Sequence, residues 1–206
     1  MKVLCFSFGE IGTNCYIAFD EKTRQTALID IADNVPQRYF EKIEELKLKV
    51  EYILLTHAHY DHTLGVKAAK INFPNAKICI SKADYDEVLN NAPYPFANKS
   101  DLPEPDIFLN DGDTIKLGSE NVRVISTPGH TRGGVSFYTN EFFFTGDTLF
   151  CGSYGRTDFH TGNFADIKRS IIKILDISGD RKILPGHGSF STQQIERNSN
   201  PCIAGY

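Results

Sequence analysis

The spacing of apolar residues divides the first part of the chain into short strands followed by an amphipathic helix. Residues 1–31 contain apolar runs on either side of a turn signal at Ile11–Asn14, which predicts two or three strands that open a sheet. After Pro36, Phe40 and Ile43 recur at a spacing of three with charged residues between them. This pattern predicts a helix that covers one face of the sheet.

The middle of the chain alternates buried strands with helices. The pattern predicts a strand at 50–55, a helix at about 61–72, a strand at 77–80 and a helix at 81–90. Residues 91–106 hold four prolines and show no periodicity, so we expect an irregular loop. Loops of this length in a compact domain are often functional.

The second half has a strand-turn-strand pattern, then a helix and a last strand. The predicted strands lie at 114–117, 122–126, 135–138, 142–144 and 182–184, and Asn163 is the expected N-cap of the helix. Strand groups separated by helices, with hairpins in each half, favour two sheets sandwiched between helices over an alternating parallel sheet. We see neither a repeat nor a linker, so residues 1–206 are expected to form a single domain.

Composition excludes several classes of function. The net charge is −4, and acidic and basic residues are mixed along the chain, which argues against nucleic acid as a partner. No apolar run approaches the length of a membrane span, and no export signal is visible. The five cysteines are widely spaced, without a CxxC pair, so they predict no disulfide framework and favour a cytoplasmic location.

The segment from Thr56 to His62 carries the strongest chemical signal. In extended backbone His57 and His59 project to the same side, so they can share one metal ion. Asp61 and His62 follow where the chain turns into the next helix, and their side chains can reach a second ion. Imidazole and carboxylate are ligands that zinc, iron and manganese accept, and a set of this kind with open positions suits a catalytic site.

Three more potential ligands follow apolar runs farther along the chain. His130, Asp147 and His187 each come directly after a glycine that ends such a run. Taken one at a time, each residue is also compatible with an ordinary hydrogen-bonded histidine or a turn aspartate. Because ligands at strand ends can converge on one sheet edge, the joint pattern favours a metal site. Five of the six histidines belong to it, and the exception is His160.

These tracts resemble the ordered signature of the metallo-β-lactamase superfamily, and more narrowly its short glyoxalase II-like hydrolases. The resemblance spans nearly the whole chain and implies an α+β fold, an αββα sandwich of two mixed β-sheets flanked by helices. It also implies two divalent transition metal ions, zinc first and iron or manganese as alternatives. One ion takes His57, His59 and His130, the other takes Asp61, His62 and His187, and Asp147 bridges them. The nearby Cys151 is offset from the position at which true β-lactamases use cysteine, and we expect it to be structural.

The resemblance implies hydrolysis of S-lactoylglutathione or a related acylglutathione, a small-molecule thioester, by attack of a metal-bound hydroxide. A thioester suits such a site because its leaving thiol has a pKa of about 8.5 and departs with little help from an acid. Besides Asp147, Asp61 is a candidate catalytic residue, although its freedom as a ligand is limited. Arg156 is the candidate for binding a substrate carboxylate, and its alternative is an internal contact with Asp158 or Asp147.

Two other functions stay open. The segment Gly155–Phe159 also resembles persulfide dioxygenases of the same superfamily, in which one iron is bound by residues matching His57, His130 and Asp147. The glycine after His187 resembles the hydrolases instead, since those dioxygenases typically have an aspartate there. A non-catalytic binding module is disfavoured by the complete ligand set. The sequence leaves open the oligomeric state, the identity of the metal, and whether Tyr94 and Phe96 line the pocket or pack the loop.

Overall fold

The first half of the chain forms one six-stranded mixed sheet. The structure is a computed structural model that describes residues 1–203. Strands of this sheet follow one another in space as they do along the chain: β1 (Lys2–Phe8), β2 (Thr13–Phe19), β3 (Gln25–Ile29), β4 (Lys49–Leu54), β5 (Lys77–Ser81) and β6 (Ile107–Leu109). The first three pair antiparallel, and β3 to β6 pair parallel. Parallel pairing directs the carboxyl ends of β3, β4 and β5 to one edge.

The second half forms another six-stranded sheet and a small hairpin. The sheet contains, in chain order, β7 (Thr114–Leu117), β8 (Glu120–Ser126), β9 (Val135–Tyr138), β10 (Phe142–Gly146), β13 (Lys182–Pro185) and β14 (Ser191–Thr192). Its spatial order is β14-β13-β10-β9-β8-β7, with β10 and β13 parallel. The hairpin consists of β11 (Leu149–Phe150) and β12 (Ser153–Tyr154).

Helices cover the outer faces of the two sheets. They are α1 (Gln37–Glu45), α2 (Tyr60–Thr63), α3 (Val66–Asn72), α4 (Lys82–Leu89), α5 (Phe164–Asp176) and α6 (Gln193–Ser199), with a turn of 3-10 helix at Pro201–Ile203. None of the helices within residues 1–203 combines the length and the apolar character needed to cross a membrane.

Three apolar clusters separate the four layers. In β2, Ile17 packs in the cluster beneath α1, whereas its neighbours Tyr16 and Ala18 pack in the cluster between the two sheets. This alternation follows from the period of two along a strand, and it buries both faces of the sheet. The third cluster joins the second sheet to α5, whose Ile167 and Ile171 are fully buried. The predicted α+β fold of two mixed sheets between helices is confirmed.

The helix predicted at about 61–72 is instead two short helices, α2 and α3, with Gly65 between them. A β-carbon on Gly65 would lie 2.3 Å from the carbonyl oxygen of Ala32, so only glycine allows the chain to pass this close to the segment that follows β3. The close approach draws α2 onto the edge of the first sheet. It therefore places Asp61 and His62 beside the end of β4.

Candidate metal centre

Four of the seven predicted ligands lie in the tract that follows β4. His57 and His59 lie beyond the end of the strand, the latter in extended backbone, and Asp61 and His62 lie in α2. His59 is the N-cap residue of α2, so the change from extended to helical backbone falls between the two pairs. All four residues are buried.

The other three predicted ligands come from the second sheet. His130 lies between β8 and β9, Asp147 directly follows β10, and His187 lies two residues beyond β13. Parallel pairing of β10 with β13 brings the last two residues side by side. A β-carbon on Gly186 would lie 2.1 Å from Oδ1 of Asp147, so the glycine before His187 is required for this approach.

All seven side chains meet in the space between the two sheet edges. His59 Nδ1 lies 2.9 Å from His130 Nε2, and His62 Nε2 lies 3.3 Å from His187 Nε2. The Asp61 carboxylate lies 3.1 Å from His62 Nε2 and 3.2 Å from His187 Nε2. Three groups have ligand atoms within 4.8 Å of one another: His57 with His59 and His130; His57 with His62 and Asp147; and Asp61 with His62 and His187.

Asp147 lies between the two halves of the cluster. One carboxylate oxygen is 3.4 Å from His62 Nε2, and the other is 3.5 Å from both His130 Nε2 and His187 Nε2. Donor atoms that share one metal at about 2.0–2.2 Å each lie about 3 Å apart, as these do. The cluster therefore has the dimensions of a metal centre with Asp147 in the middle.

Polar atoms without partners support the same interpretation. His57 Nε2 and Asp147 Oδ1 are buried and have no hydrogen-bond partner. Buried polar atoms normally have one, so an unpaired group needs an explanation such as a bound ion. An all-nitrogen-and-oxygen donor set fits a divalent transition metal.

The surroundings of the clustered histidines shift their pKa values in opposite directions. Burial, reinforced by neighbouring imidazoles, holds the pKa of His57 well below its usual range, and burial lowers that of His59 to about 3. Neutral imidazoles of this kind are ready to act as ligands. Burial also opposes charge on His62 and His187, but the Asp61 and Asp147 carboxylates outweigh it, so the pKa of His62 is raised well above its usual value and that of His187 to about 9.

Several side chains that sequence reasoning missed orient the cluster. Asp30 accepts hydrogen bonds from the backbone N–H and hydroxyl of Thr56, each 2.8 Å long, and lies 2.8 Å from His62 Nδ1. Because the Thr56 hydroxyl donates to Asp30, it accepts from His57 Nδ1 at 3.0 Å, which leaves His57 Nε2 free for a metal. On the other side, the Thr13 hydroxyl donates to Asp61 at 2.8 Å. Partners of this kind fix the orientation and the tautomer of metal ligands.

A sequence signal existed for Asp30. It ends the apolar run of β3, as the predicted ligands end theirs, and it adopts a positive φ of 53°. No comparable pattern marks Thr13, because its contact with Asp61 joins residues 48 positions apart.

The cluster opens on one side into a cavity of about 510 Å³. His59, Asp61, His130, Asp147 and His187 form its floor. The walls are mainly aromatic and apolar, and the residues outside the floor are Ile11, Tyr60, Tyr94, Pro95, Phe150, Ser153, Tyr154, Arg156 and Phe159. A largely apolar cleft with a few convergent polar groups is typical of a small-molecule site.

The structure divides the remaining predictions. Arg156 lines the cavity, but its guanidinium makes a bidentate ion pair with Asp158, at 2.7 and 2.6 Å, and stacks on Phe159 with 3.9 Å to the ring centre. In the loop at 91–106, Tyr94 lines the cavity, whereas Phe96 is buried against the His59 ring. The loop thus both packs on the centre and contributes to the pocket.

Two further residues, His160 and Cys151, lie outside the cluster. His160 is 3.1 Å from the carboxylate of Glu87 and is not among the clustered histidines. Cys151, which was expected to be structural, is exposed in the turn between β11 and β12 and is not among the clustered ligands.

This chain matches a known protein family and has relatives among characterised proteins. Residues 8–187 match the family model of the metallo-β-lactamase superfamily. Hydroxyacylglutathione hydrolase GloC of Haemophilus influenzae is 36% identical over 199 residues, and the match covers 92% of each chain. The human mitochondrial persulfide dioxygenase ETHE1 is 32% identical, over 92% of this chain and 70% of its own.

Solved structures agree with this family. BLEG-1, described as a B3 metallo-β-lactamase, superposes with a TM-score of 0.85 at 26% identity and covers 99% of this chain and 100% of its own. TTHA1623, solved in a di-iron-bound form, has a TM-score of 0.80 at 27% identity and covers 96% and 98%. The fold, the site geometry and the family match lead to one conclusion: the chain belongs to the metallo-β-lactamase superfamily.

Proposed function

We propose that the chain is a binuclear metal-dependent hydrolase that cleaves thioesters, with S-lactoylglutathione or a related acylglutathione as substrate. The observation that carries this proposal is the meeting of seven imidazole and carboxylate side chains, five of which form the floor of one open cavity. The glyoxalase II-like relative from Haemophilus influenzae supports the substrate class.

Each of the seven side chains has a proposed position in the centre. His57, His59 and His130 would hold one divalent cation, and Asp61, His62 and His187 would hold the other. Asp147, which contacts histidines of both sets, would be the ligand that the two ions share. Zinc is the first candidate, and iron or manganese fits the same donors.

Two divalent cations supply Lewis acidity and lower the pKa of water towards neutrality. The protein holds the centre rigid through buried partners, among them Asp30 and Thr13. Asp61 accepts the Thr13 hydroxyl and faces both His62 and His187, so we assign it as a ligand instead of a proton carrier. His130 Nδ1 donates to the backbone carbonyl of Arg156 at 2.8 Å, which directs its Nε2 to the centre.

The lining of the cavity favours a thioester over an ester. Among the described residues that line it, the carboxylates are Asp61 and Asp147, and both belong to the cluster. An alkoxide leaving group would need an additional acid, whereas a thiol with a pKa of about 8.5 leaves as a thiolate. Arg156, on the cavity wall, is the proposed partner of a substrate carboxylate and would exchange Asp158 for it.

A persulfide dioxygenase is the second candidate, because the human ETHE1 relative covers 92% of this chain. That reaction uses one iron. The gathering of Asp61, His62 and His187 around a second position favours the binuclear hydrolase.

The test compares metal-free protein with protein reloaded with zinc, iron or manganese. We expect reloading to restore hydrolysis of S-lactoylglutathione, followed as release of free thiol, with no consumption of dissolved oxygen when glutathione persulfide is the substrate. Asp147→Asn should lose at least about 100-fold in kcat/KM, more than the loss typical of an outer partner. Asp86→Asn, an equal change of charge on the exposed side of α4, is the control. Oxygen uptake with one iron per chain, and no thioesterase activity, would establish the dioxygenase instead.

A further inference from the structure

Asp84 is a fully buried carboxylate in the first turn of α4, outside the metal cluster. Its Oδ2 accepts hydrogen bonds from the Ala58 backbone N–H and the Thr131 hydroxyl, both 2.9 Å long. Its Oδ1 accepts from the Gly133 backbone N–H at 2.8 Å. Both oxygens therefore point at donors from other parts of the chain.

These donors belong to the two loops that carry one complete group of clustered histidines. Ala58 lies between His57 and His59, and Thr131 directly follows His130. The two loops are more than 70 residues apart in sequence, since the contact between His59 and His130 spans 71 positions. One carboxylate thus joins the separate pieces of a single proposed metal position.

The contact requires an acceptor with two oxygens at this place. A buried charge is costly unless it is fully hydrogen-bonded, and the buried N–H groups of irregular loops need acceptors. The fit is also close: a β-carbon on Gly133 would lie 2.5 Å from Oδ1 and from the backbone nitrogen of Asp84. Helix capping does not explain the carboxylate, because Ser81 caps α4.

Asp30 offers a comparison on the other half of the centre. Its carboxylate lies against His62 itself, so it acts directly on a proposed ligand. Asp84 has hydrogen bonds with the backbone and hydroxyl next to the histidines and with none of the histidine rings. Asp84 can therefore affect a bound metal only by changing the distance between the two loops.

We infer that Asp84 is a positioning residue that sets the distance between the His57/His59 loop and the His130 loop, and so controls the metal affinity of that position selectively. The inference rests on the proposed metal centre. The inference goes beyond that centre, because it makes the affinity of one metal position depend on a residue that contacts no metal. Loss of the bond network should weaken the position held by these three histidines and leave the Asp61, His62 and His187 position filled.

The test uses Asp84→Asn in the full-length protein, with cobalt(II) and zinc as probes in competition with a chelator. An amide nitrogen in place of one oxygen faces a donor, so at least one of the three bonds is lost. We expect a 10- to 100-fold weaker affinity at one of the two positions, the range typical for outer partners of ligands, with the other affinity unchanged. The cobalt spectrum of the variant should then resemble that of His130→Ala and differ from that of His187→Ala.

Two controls keep the result interpretable. Asp86→Asn makes the same change of charge on the same helix, in a residue paired with Lys82, and should bind both ions normally. Thr131→Val removes one of the three bonds with little change of volume, and it should show a smaller loss at the same position even if Asp84→Asn folds poorly.

If Asp84→Asn and Thr131→Val both bind metal at the two positions as tightly as the wild-type chain does, the inference is overturned. A lower melting temperature of the metal-free variants with an unchanged ratio of the two metal affinities would also overturn it, because that is the result of a purely structural role. If the wild-type chain binds no metal, the proposed function fails. If the wild-type chain binds two ions and the variants bind them as tightly, only the role of Asp84 fails.

Discussion

At the residue scale, four of the candidate ligands were predictable because each of them follows an apolar run that becomes a strand. His57, His130 and His187 could be named from local sequence, because each follows a strand and the ends of strands from both sheets meet at the centre. Thr13 and Asp84 could not, because their partners lie 48 and at least 26 positions away and no local pattern encodes those contacts. Local periodicity therefore predicts the ligands themselves, and tertiary packing determines the partners that hold them.

Arg156 and Asp158 form an exposed ion pair at the cavity, and exposed pairs contribute little. A substrate carboxylate can therefore compete with Asp158 for the guanidinium. We expect Arg156→Gln to raise the KM for S-lactoylglutathione by about tenfold, and Asp158→Asn to lower it by up to about fivefold because the arginine is then free. Steady-state kinetics with a neutral thioester of the same acyl group should show no change in either variant.

Comparing the charged thioester with the neutral one distinguishes binding of a substrate carboxylate from other effects of the substitution. If both thioesters respond equally to Arg156→Gln, the side chain shapes the cavity and does not bind a carboxylate.

The cysteines should differ sharply in reactivity. Burial raises the pKa of Cys5 to about 11 and that of Cys15 and Cys79 to about 12. Burial also raises the pKa of the Cys202 thiol. Because the thiolate is the reactive form, these thiols stay mainly protonated and react slowly at pH 8.

The exposed Cys151 is therefore expected to be the one rapid thiol in the native protein at pH 8. A colourimetric thiol titration should give about one fast equivalent per chain, and Cys151→Ser should abolish it. Two or more fast equivalents in the native wild-type protein would show that the buried thiols are accessible.

At the element scale, long periodic segments were predicted well and short ones were missed. The helix α5 has buried residues at helical spacing and an N-cap, Asn163, whose side chain accepts from the Asp166 N–H, so its start could be read from the sequence. Strands β11, β12 and β14 have two residues each, too few to show any period. Their pairing depends on neighbours, which sequence alone does not reveal.

The short elements nevertheless shape the cavity. Phe150, Ser153 and Tyr154 of the β11–β12 hairpin line it, and α6 holds the hairpin in place. Glu196, buried in α6, accepts from the Gly152 N–H at 3.1 Å, and the Asn200 side chain donates to the Ser153 carbonyl at 3.0 Å. The C-terminal helix thereby supports one wall of the proposed substrate pocket.

Glu196→Gln should loosen this wall. The new amide nitrogen is a donor, and it would face groups that donate hydrogen bonds to the carboxylate in the wild-type chain. We expect KM for the thioester to rise about threefold to tenfold, the effect of losing a buried hydrogen bond, while kcat stays within about twofold. Gln194→Ala, an exposed change on the same helix, is the control. A fall in kcat with unchanged KM would instead connect α6 to the centre itself.

At the scale of the whole molecule, the centre joins the two sheets. The first sheet and α2 contribute four of the clustered side chains, and the second sheet contributes three. Apolar residues from both sheets also share the cluster between them, including Leu54 and Phe144. The two halves of the chain therefore depend on each other for both packing and chemistry.

We infer from this shared core that the chain unfolds as a single domain. Circular dichroism and tyrosine fluorescence should give coincident thermal transitions for the metal-free protein. Added zinc at 100 times its dissociation constant should stabilise the folded state by about 2.7 kcal/mol for each position that it fills, because the ligands come together only in the native structure. Two separate transitions, or no shift with metal, would contradict this interdependence.

The central claim is that residues distant in sequence surround two cations. Anomalous diffraction from crystals of the metal-loaded protein tests it most directly. We predict two peaks, one among His57, His59 and His130 and the other among Asp61, His62 and His187, with Asp147 next to both. A single peak, or none within this cluster, would contradict the account.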